Sequence, residues 1–224
     1  MTDQRSPSEL LLLQAVRLAG VADREAIADR TFLADHEVDR VLTAAHRDGA
    51  LEQFAFGETS GWILTEKGAV RLATLLRQEA SERKAITALD RTLEDFDPLN
   101  ERLVGLVSRW QLQSTASTTT GATTTGSSTT GFAAADAARV DELLTSLAAA
   151  GRDLRETLEG LIRLLPRFGR YPAQYATALD RAQHEGLQWI TGVGLLSCHV
   201  VWAELHQDLL SSLGRDRLDD RHNG

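Results

Sequence analysis

At 224 residues, with 42% hydrophobic and 25% charged side chains, the chain has the composition of a globular protein and room for one large or two small domains. A net charge of -8 argues against sequence-independent coating of nucleic acid, which runs on Lys and Arg, while leaving room for a local basic face. The single cysteine, Cys198, excludes an internal disulfide and an all-cysteine metal cage, so no metal or other cofactor is expected. Leu10 to Leu13 is too short for a signal-peptide core, and no apolar run approaches the roughly 20 residues of a membrane span, so the expected location is the cytoplasm and no membrane partner is expected.

In chain order, Ser6-Pro7-Ser8-Glu9 opens a helix whose apolar positions Leu10, Leu11, Leu13, Ala15, Val16 and Leu18 run to Gly20. Residues 23–30 form a second, short helix capped by Asp23, and Thr31-Phe32-Leu33 is a turn. A third helix covers 34–47, with Val38, Val41, Leu42 and Ala45 inward and Gly49 as its left-handed cap. Leu51, Phe54 and Phe56 then lie in a strand, Gly57 to Gly61 is a five-residue hairpin loop, and Trp62 and Leu64 share one face of the return strand. Thr65 caps the next helix, which carries Val70, Leu72, Ala73, Leu75 and Leu76. Three helices, a hairpin wing and a fourth helix are the order of a winged helix-turn-helix domain at 8–79.

In such a domain the third helix enters the major groove. Arg40, Thr43 and Arg47 on its outer face are the expected readers of double-stranded DNA, with Arg24, Thr59 and Ser60 touching phosphate or minor groove; each reads equally well as a solvated surface residue. Charge stands against this interface. Residues 1–79 hold 13 acidic and 9 basic side chains, and Asp35, Glu37 and Asp39 open the third helix.

The spacing of Ala85, Ile86, Leu89 and Leu93 extends helix four to Phe96 as a long connecting helix. Asp97-Pro98 then stops it and starts another, with Leu99, Leu103, Leu106, Val107 and Trp110 on its face. Ser114 to Gly131 contains little but Ser, Thr, Gly and Ala and reads as a disordered loop. Val140, Leu144, Leu147, Gly151, Leu154, Leu158, Leu161 and Leu165 form a seam that packs in its own bundle or against a second subunit. Pro166 and Gly169 end that helix, Tyr171-Pro172 begins one reaching Gly186, and an apolar helix runs from Leu195 to Leu213. The fold expected is mainly α, with a helical bundle domain at 80–213 for dimerisation or effector binding.

Within that bundle, Trp110, Trp189, His199, Trp202 and His206 line either an effector pocket or a packed core, while Glu204 and Asp208 form an acidic pair on the opposite side of the last helix. His199 and His206 are seven residues apart, about 10 Å along a helix, too far to chelate one ion alone. No nucleophile, base and orienting group converge at usable spacing, so the chain is not expected to be an enzyme.

Residues 8–79, and the run Leu64-Thr65-Glu66-Lys67-Gly68 in particular, resemble the winged helix-turn-helix domain of the MarR class of bacterial regulators. Phe32 stands where such relatives often carry Gly, and Ala34 where they carry a capping Asp or Ser. Leu187 to Thr191 followed by Ser197 to Leu210 is similar to the C-terminal domain of bacterial two-part proteins labelled winged-helix or MarR-like, in which Asp-Ser-Tyr-His precedes Val-Trp-x-Glu-Leu-His; here Leu196 and Cys198 replace the Asp and the Tyr. The resemblance implies a DNA-binding transcriptional regulator, expected to be a homodimer on paired half-sites, with a second domain that dimerises or senses a small molecule. The alternative is a protein-interaction module on a winged helix that does not bind DNA.

Overall fold

The structure is a computed structural model that describes residues 6–120, 129–192 and 194–215. It is mainly helical with one two-stranded antiparallel sheet, in the order α1 (Ser8–Ala19), α2 (Arg24–Thr31), α3 (Asp35–Arg47), β1 (Leu51–Phe56), β2 (Thr59–Leu64), α4 (Glu66–Glu82), α5 (Ile86–Thr120), α6 (Thr129–Leu164), a 3-10 turn (Pro166–Gly169), α7 (Arg170–His184), α8 (Gln188–Thr191) and α9 (Cys198–Ser212). Two compact units emerge. The first draws on Met1–Leu93, Leu158–Tyr171 and Ala203–Gly224, the second on Glu94–Thr157 and Pro172–Trp202. The first unit is thus not closed at residue 79: it takes in the end of α6, the start of α7 and most of α9.

In the first unit, Leu10, Leu13 and Val16 of α1 pack with Ile27 of α2, Val38, Val41 and Leu42 of α3, Leu51 of β1 and Leu72 and Leu76 of α4, all buried. The Asp23 carboxylate accepts from the Ala26 N–H and caps α2, and the Thr65 hydroxyl accepts from the Gly68 N–H and caps α4. A Cβ at Gly68 would lie 2.0 Å from the Ala50 carbonyl oxygen, so only glycine lets α4 approach the end of α3 this closely. Ala22 pairs with Trp62 through two backbone hydrogen bonds of 2.7 and 3.0 Å, which ties the α1–α2 connection to β2.

Several elements differ from the sequence reading. The hairpin turn is two residues, Gly57-Glu58, and Thr59, Ser60 and Gly61 belong to β2; Gly57 takes φ 58, the conformation a Gly-X hairpin turn needs. Helix four does not run on to Phe96. It ends at Glu82 with Arg83 as its cap; Lys84 then adopts φ 52, the Lys84 N–H bonds the Ser81 carbonyl and the Ala85 N–H bonds that of Ala80, a Schellman closure clasped by buried Ala80 and Ala85. Pro98, read as a helix start, instead lies inside α5. The buried positions Leu89, Leu93, Phe96, Leu103 and Val107 keep one stripe across it, and Pro98 itself is exposed, so the Glu94 carbonyl that loses its donor can bond water. The backbone at 114–120 and 129–131 is helical; the remainder of the expected loop, 121–128, lies outside the described residues. In α6 the seam is buried at Leu147, Leu154, Leu158 and Leu161, with Leu143 rather than Leu144 facing inward.

Phe32 is held in the left-handed region at φ 55 with 62% of its surface exposed, at the end of α2 where glycine is favoured. Phe32→Gly is expected to raise the unfolding free energy by about 1 kcal/mol, since the strain removed exceeds the chain entropy added. Urea denaturation of the two proteins checks this.

In the second unit Trp202 is buried between Phe96 and Tyr175, at ring centroid distances of 5.1 and 5.7 Å. Its indole N–H donates to Asn100 Oδ1 at 3.1 Å, and the Tyr175 hydroxyl donates to the Leu147 carbonyl. Tyr175 packs closely on Gly151, where a Cβ would lie 3.0 Å from a ring carbon. Trp202→Phe removes the N–H that Asn100 accepts and leaves part of the indole volume empty; a loss of about 2–4 kcal/mol in thermal or urea unfolding is the expected result.

Candidate nucleic-acid interface

A helix turns 100° per residue, so burial of Val38, Val41, Leu42 and Ala45 fixes which residues of α3 point away from the core. The outward crest is His36, Arg40, Thr43 and Arg47, at spacings of four, three and four, and all four are exposed. The three acidic residues that open the helix sit on its flanks. Asp35 and Asp39 lie on the side toward α2, and both meet Arg24: Nε reaches Asp39 Oδ1 at 2.6 Å and Nη2 approaches Asp35 at 3.5 Å. The Arg24 hydrogen bond holds the Asp39 carboxyl below its ordinary range, and the same pair raises Arg24. Glu37 lies on the other flank, where it accepts from the Ser8 hydroxyl. The crest therefore carries two arginines, a histidine and a hydroxyl, and no carboxylate.

Among the described residues Arg40 reaches only Glu37, at 3.8 Å, and Arg47 only its neighbour Asp48, at 3.1 Å, and both guanidiniums stay mostly in solvent. Such pairs contribute little and are readily exchanged for phosphate. The Thr43 hydroxyl donates to the Asp39 carbonyl and keeps its lone pairs outward. Thr59 and Ser60 are exposed on β2 beside the Gly57-Glu58 turn. Arg24, by contrast, is engaged by the two carboxylates of α3 and is not a free cation for phosphate. His36 belongs to the crest although the sequence reading passed over it; the 100° wheel anchored on Val38 and Val41 is the signal that finds it.

The second group of predicted residues is divided between the two units. Trp110 on α5, Trp189 on α8 and His199 and Trp202 on α9 belong to the second unit, while His206 falls in the first. Trp189 lies under the Arg181 guanidinium, 4.5 Å from its ring centre, and His199 is exposed. Trp202 is fully buried and borders a cavity of the second unit. Cys198 is buried, and burial pushes its thiol up to about 12, which leaves it un-ionised at neutral pH. Among the described residues no group of three His, Cys, Asp or Glu side chains is placed to hold a metal ion, and no described helix is long and apolar enough to cross a membrane.

What the sequence reading missed is a buried ionic network in the first unit. The Asp208 carboxylate of α9 accepts from Arg167 Nη1 at 2.6 Å, from the Tyr171 hydroxyl at 2.6 Å, from Gln14 Nε2 at 2.9 Å and from Arg170 Nη2 at 3.3 Å. Arg167 also donates to Glu79 Oε2 at 2.7 Å and to the Ser212 hydroxyl, and Glu79 accepts from Ser6. Arg30 of α2 donates through two nitrogens to Glu204, and Arg170 donates to the Arg30 carbonyl. Burial alone would raise Asp208, but the guanidiniums of Arg167 and Arg170 and the Tyr171 hydroxyl hold it below the ordinary carboxylate range. Burial likewise opposes the charge on Arg167, which Asp208 and Glu79 more than restore. Three arginines face three carboxylates, so the core carries no net charge. Glu204 and Asp208, read from the sequence as an acidic pair on the side of the last helix opposite His199 and His206, are both buried, and these arginines are their partners.

No protein family, no curated protein and no solved structure matches the chain.

Proposed function

We propose that the chain is a DNA-binding transcriptional regulator whose first unit is a winged helix, with α3 as its recognition helix and β1–β2 as its wing. The observation that carries this reading is the crest His36, Arg40, Thr43 and Arg47: an exposed stripe of donors and cations with no carboxylate of its own, Asp35, Glu37 and Asp39 lying on the flanks of α3. The element order, the Ala22–Trp62 pairing and the resemblance of Leu64 to Gly68 to MarR-class regulators support it. In this reading the protein is a homodimer that places two crests on paired half-sites, and the second unit dimerises or senses a small molecule.

The experiment is a fluorescence-anisotropy titration of a duplex taken from upstream of the protein's own coding region, repeated across salt concentrations. Binding at least about tenfold tighter than to random duplex, with log affinity falling by about 0.9 for each phosphate contact per decade of salt, is the expected result. Equal binding to both duplexes, or none, overturns the reading. A second reading, a protein-interaction module, is favoured by the wing: β1 and β2 contain no Lys or Arg, and Phe56 beside the turn is 79% exposed. It gains if neither duplex is bound.

A further inference from the structure

The second unit holds a trough of about 400 Å³ between α5 and α6, within the size range of small-molecule sites. Its origin lies in the sequence of α6. Where the seam would continue in leucine, the chain runs Ala148-Ala149-Ala150-Gly151; Gly151 receives the Tyr175 ring, and Ala149 and Ala150 are too short to fill the space opposite α5. Leu103 and Trp202, both buried, border it, and Leu99 and Leu106 extend its apolar lining.

Charge is unequal along its length. At one end Arg102 is bound to Asp153 at 3.1 Å, with Glu101 close by, so that end carries no spare positive charge. At the other, about 10 Å along α5 at 1.5 Å per residue, stands Arg109, which has no acidic partner among the described residues. The nearby Ser146 hydroxyl donates to the Glu142 carbonyl and adds no negative charge. An apolar channel with one uncompensated guanidinium at a single end selects both the class and the direction of an occupant.

We infer that this trough binds a medium-chain monocarboxylate, with the carboxylate on Arg109 and the alkyl chain laid along Leu106, Ala149 and Ala150 toward Leu99 and Leu103. The guanidinium fork matches a carboxylate in two parallel hydrogen bonds, and a chain of eight to ten carbons spans the distance between the two arginines. This inference is independent of the DNA reading, because it concerns binding to the second unit alone.

Decanoate is the probe, titrated into the full-length protein by calorimetry and followed by tryptophan emission, since Trp202 borders the trough. Saturable binding is expected, with affinity reduced at least about tenfold by Arg109→Gln and at least about tenfold by Ala150→Leu, which fills the channel. Decanol, which lacks the charge, should bind weakly and lose nothing further with Arg109→Gln. Arg109 is exposed, so its substitution leaves the fold intact, and far-ultraviolet circular dichroism checks the Ala150→Leu protein. Absence of decanoate binding by the wild-type chain, or binding that both folded variants retain, overturns the inference. Binding lost in Ala150→Leu but retained in Arg109→Gln also overturns it, because the site would then be apolar without selecting the carboxylate.

Discussion

Asp208→Asn is expected to lower the unfolding free energy by about 3–5 kcal/mol, a large share of the stability of a domain this size. The substitution keeps the volume of the side chain and removes its charge, while an NH2 group now confronts donors from Arg167, Tyr171, Gln14 and Arg170. Two fully buried guanidiniums then share too few carboxylates, and it is the uncompensated charge, rather than the lost attraction, that dominates the cost. The pH dependence follows from the depressed Asp208 carboxyl. Its contribution is complete above the unfolded aspartate value of about 3.9 and is lost as pH falls through the lower folded value. The wild-type protein should accordingly lose stability faster than Asp208→Asn below about pH 4, so the two curves converge in acid. Urea denaturation followed by circular dichroism at neutral and acid pH measures both effects. A loss under about 1 kcal/mol, or parallel curves in acid, would contradict the buried network.

Arg40→Ala/Arg47→Ala is the second large expectation: a fall of about 100-fold in affinity for the upstream duplex, taking each crest arginine at between 1 and 3 kcal/mol. Arg24→Ala should change affinity by less than about threefold, since the guanidinium lost was bound to Asp39 and Asp35 rather than held open. This contrast separates the crest from bulk charge, because the single and double variants all remove positive charge from one face. The same anisotropy assay compares all three. A fall with Arg24→Ala as large as that with the double variant would mean that net charge, not the crest, governs binding.

The first part of the chain was largely legible, because its apolar positions recur at clean helical and strand periods and its stops are glycines and caps: Asp23, Gly49 and Thr65 act as their residue types suggest. The misread boundaries share a cause, which is tertiary packing overriding a local signal. Lys84 breaks a helix without any breaker residue, since burial of Ala80 and Ala85 closes the turn around it. Pro98 fails to break one, since the buried stripe continues past it on the opposite face. The crest was half legible. Arg40, Thr43 and Arg47 follow from helical spacing, but the engagement of Asp35 and Asp39 by Arg24 and of Glu37 by the Ser8 hydroxyl depends on residues 11 to 29 positions away, which a charge count cannot reveal. The ionic role of Glu204 and Asp208 was illegible for a related reason. Their partners Arg30, Arg167 and Arg170 are scattered over the chain, and only the fold brings them together.

The central claim is that the outward stripe of α3 meets DNA, and amide hydrogen exchange of the full-length protein with and without the upstream duplex tests it most directly. Slowed exchange concentrated in α3 from His36 to Arg47 and at the Gly57-Glu58 turn is the result predicted. Binding of the duplex with unchanged exchange across α3 would contradict it.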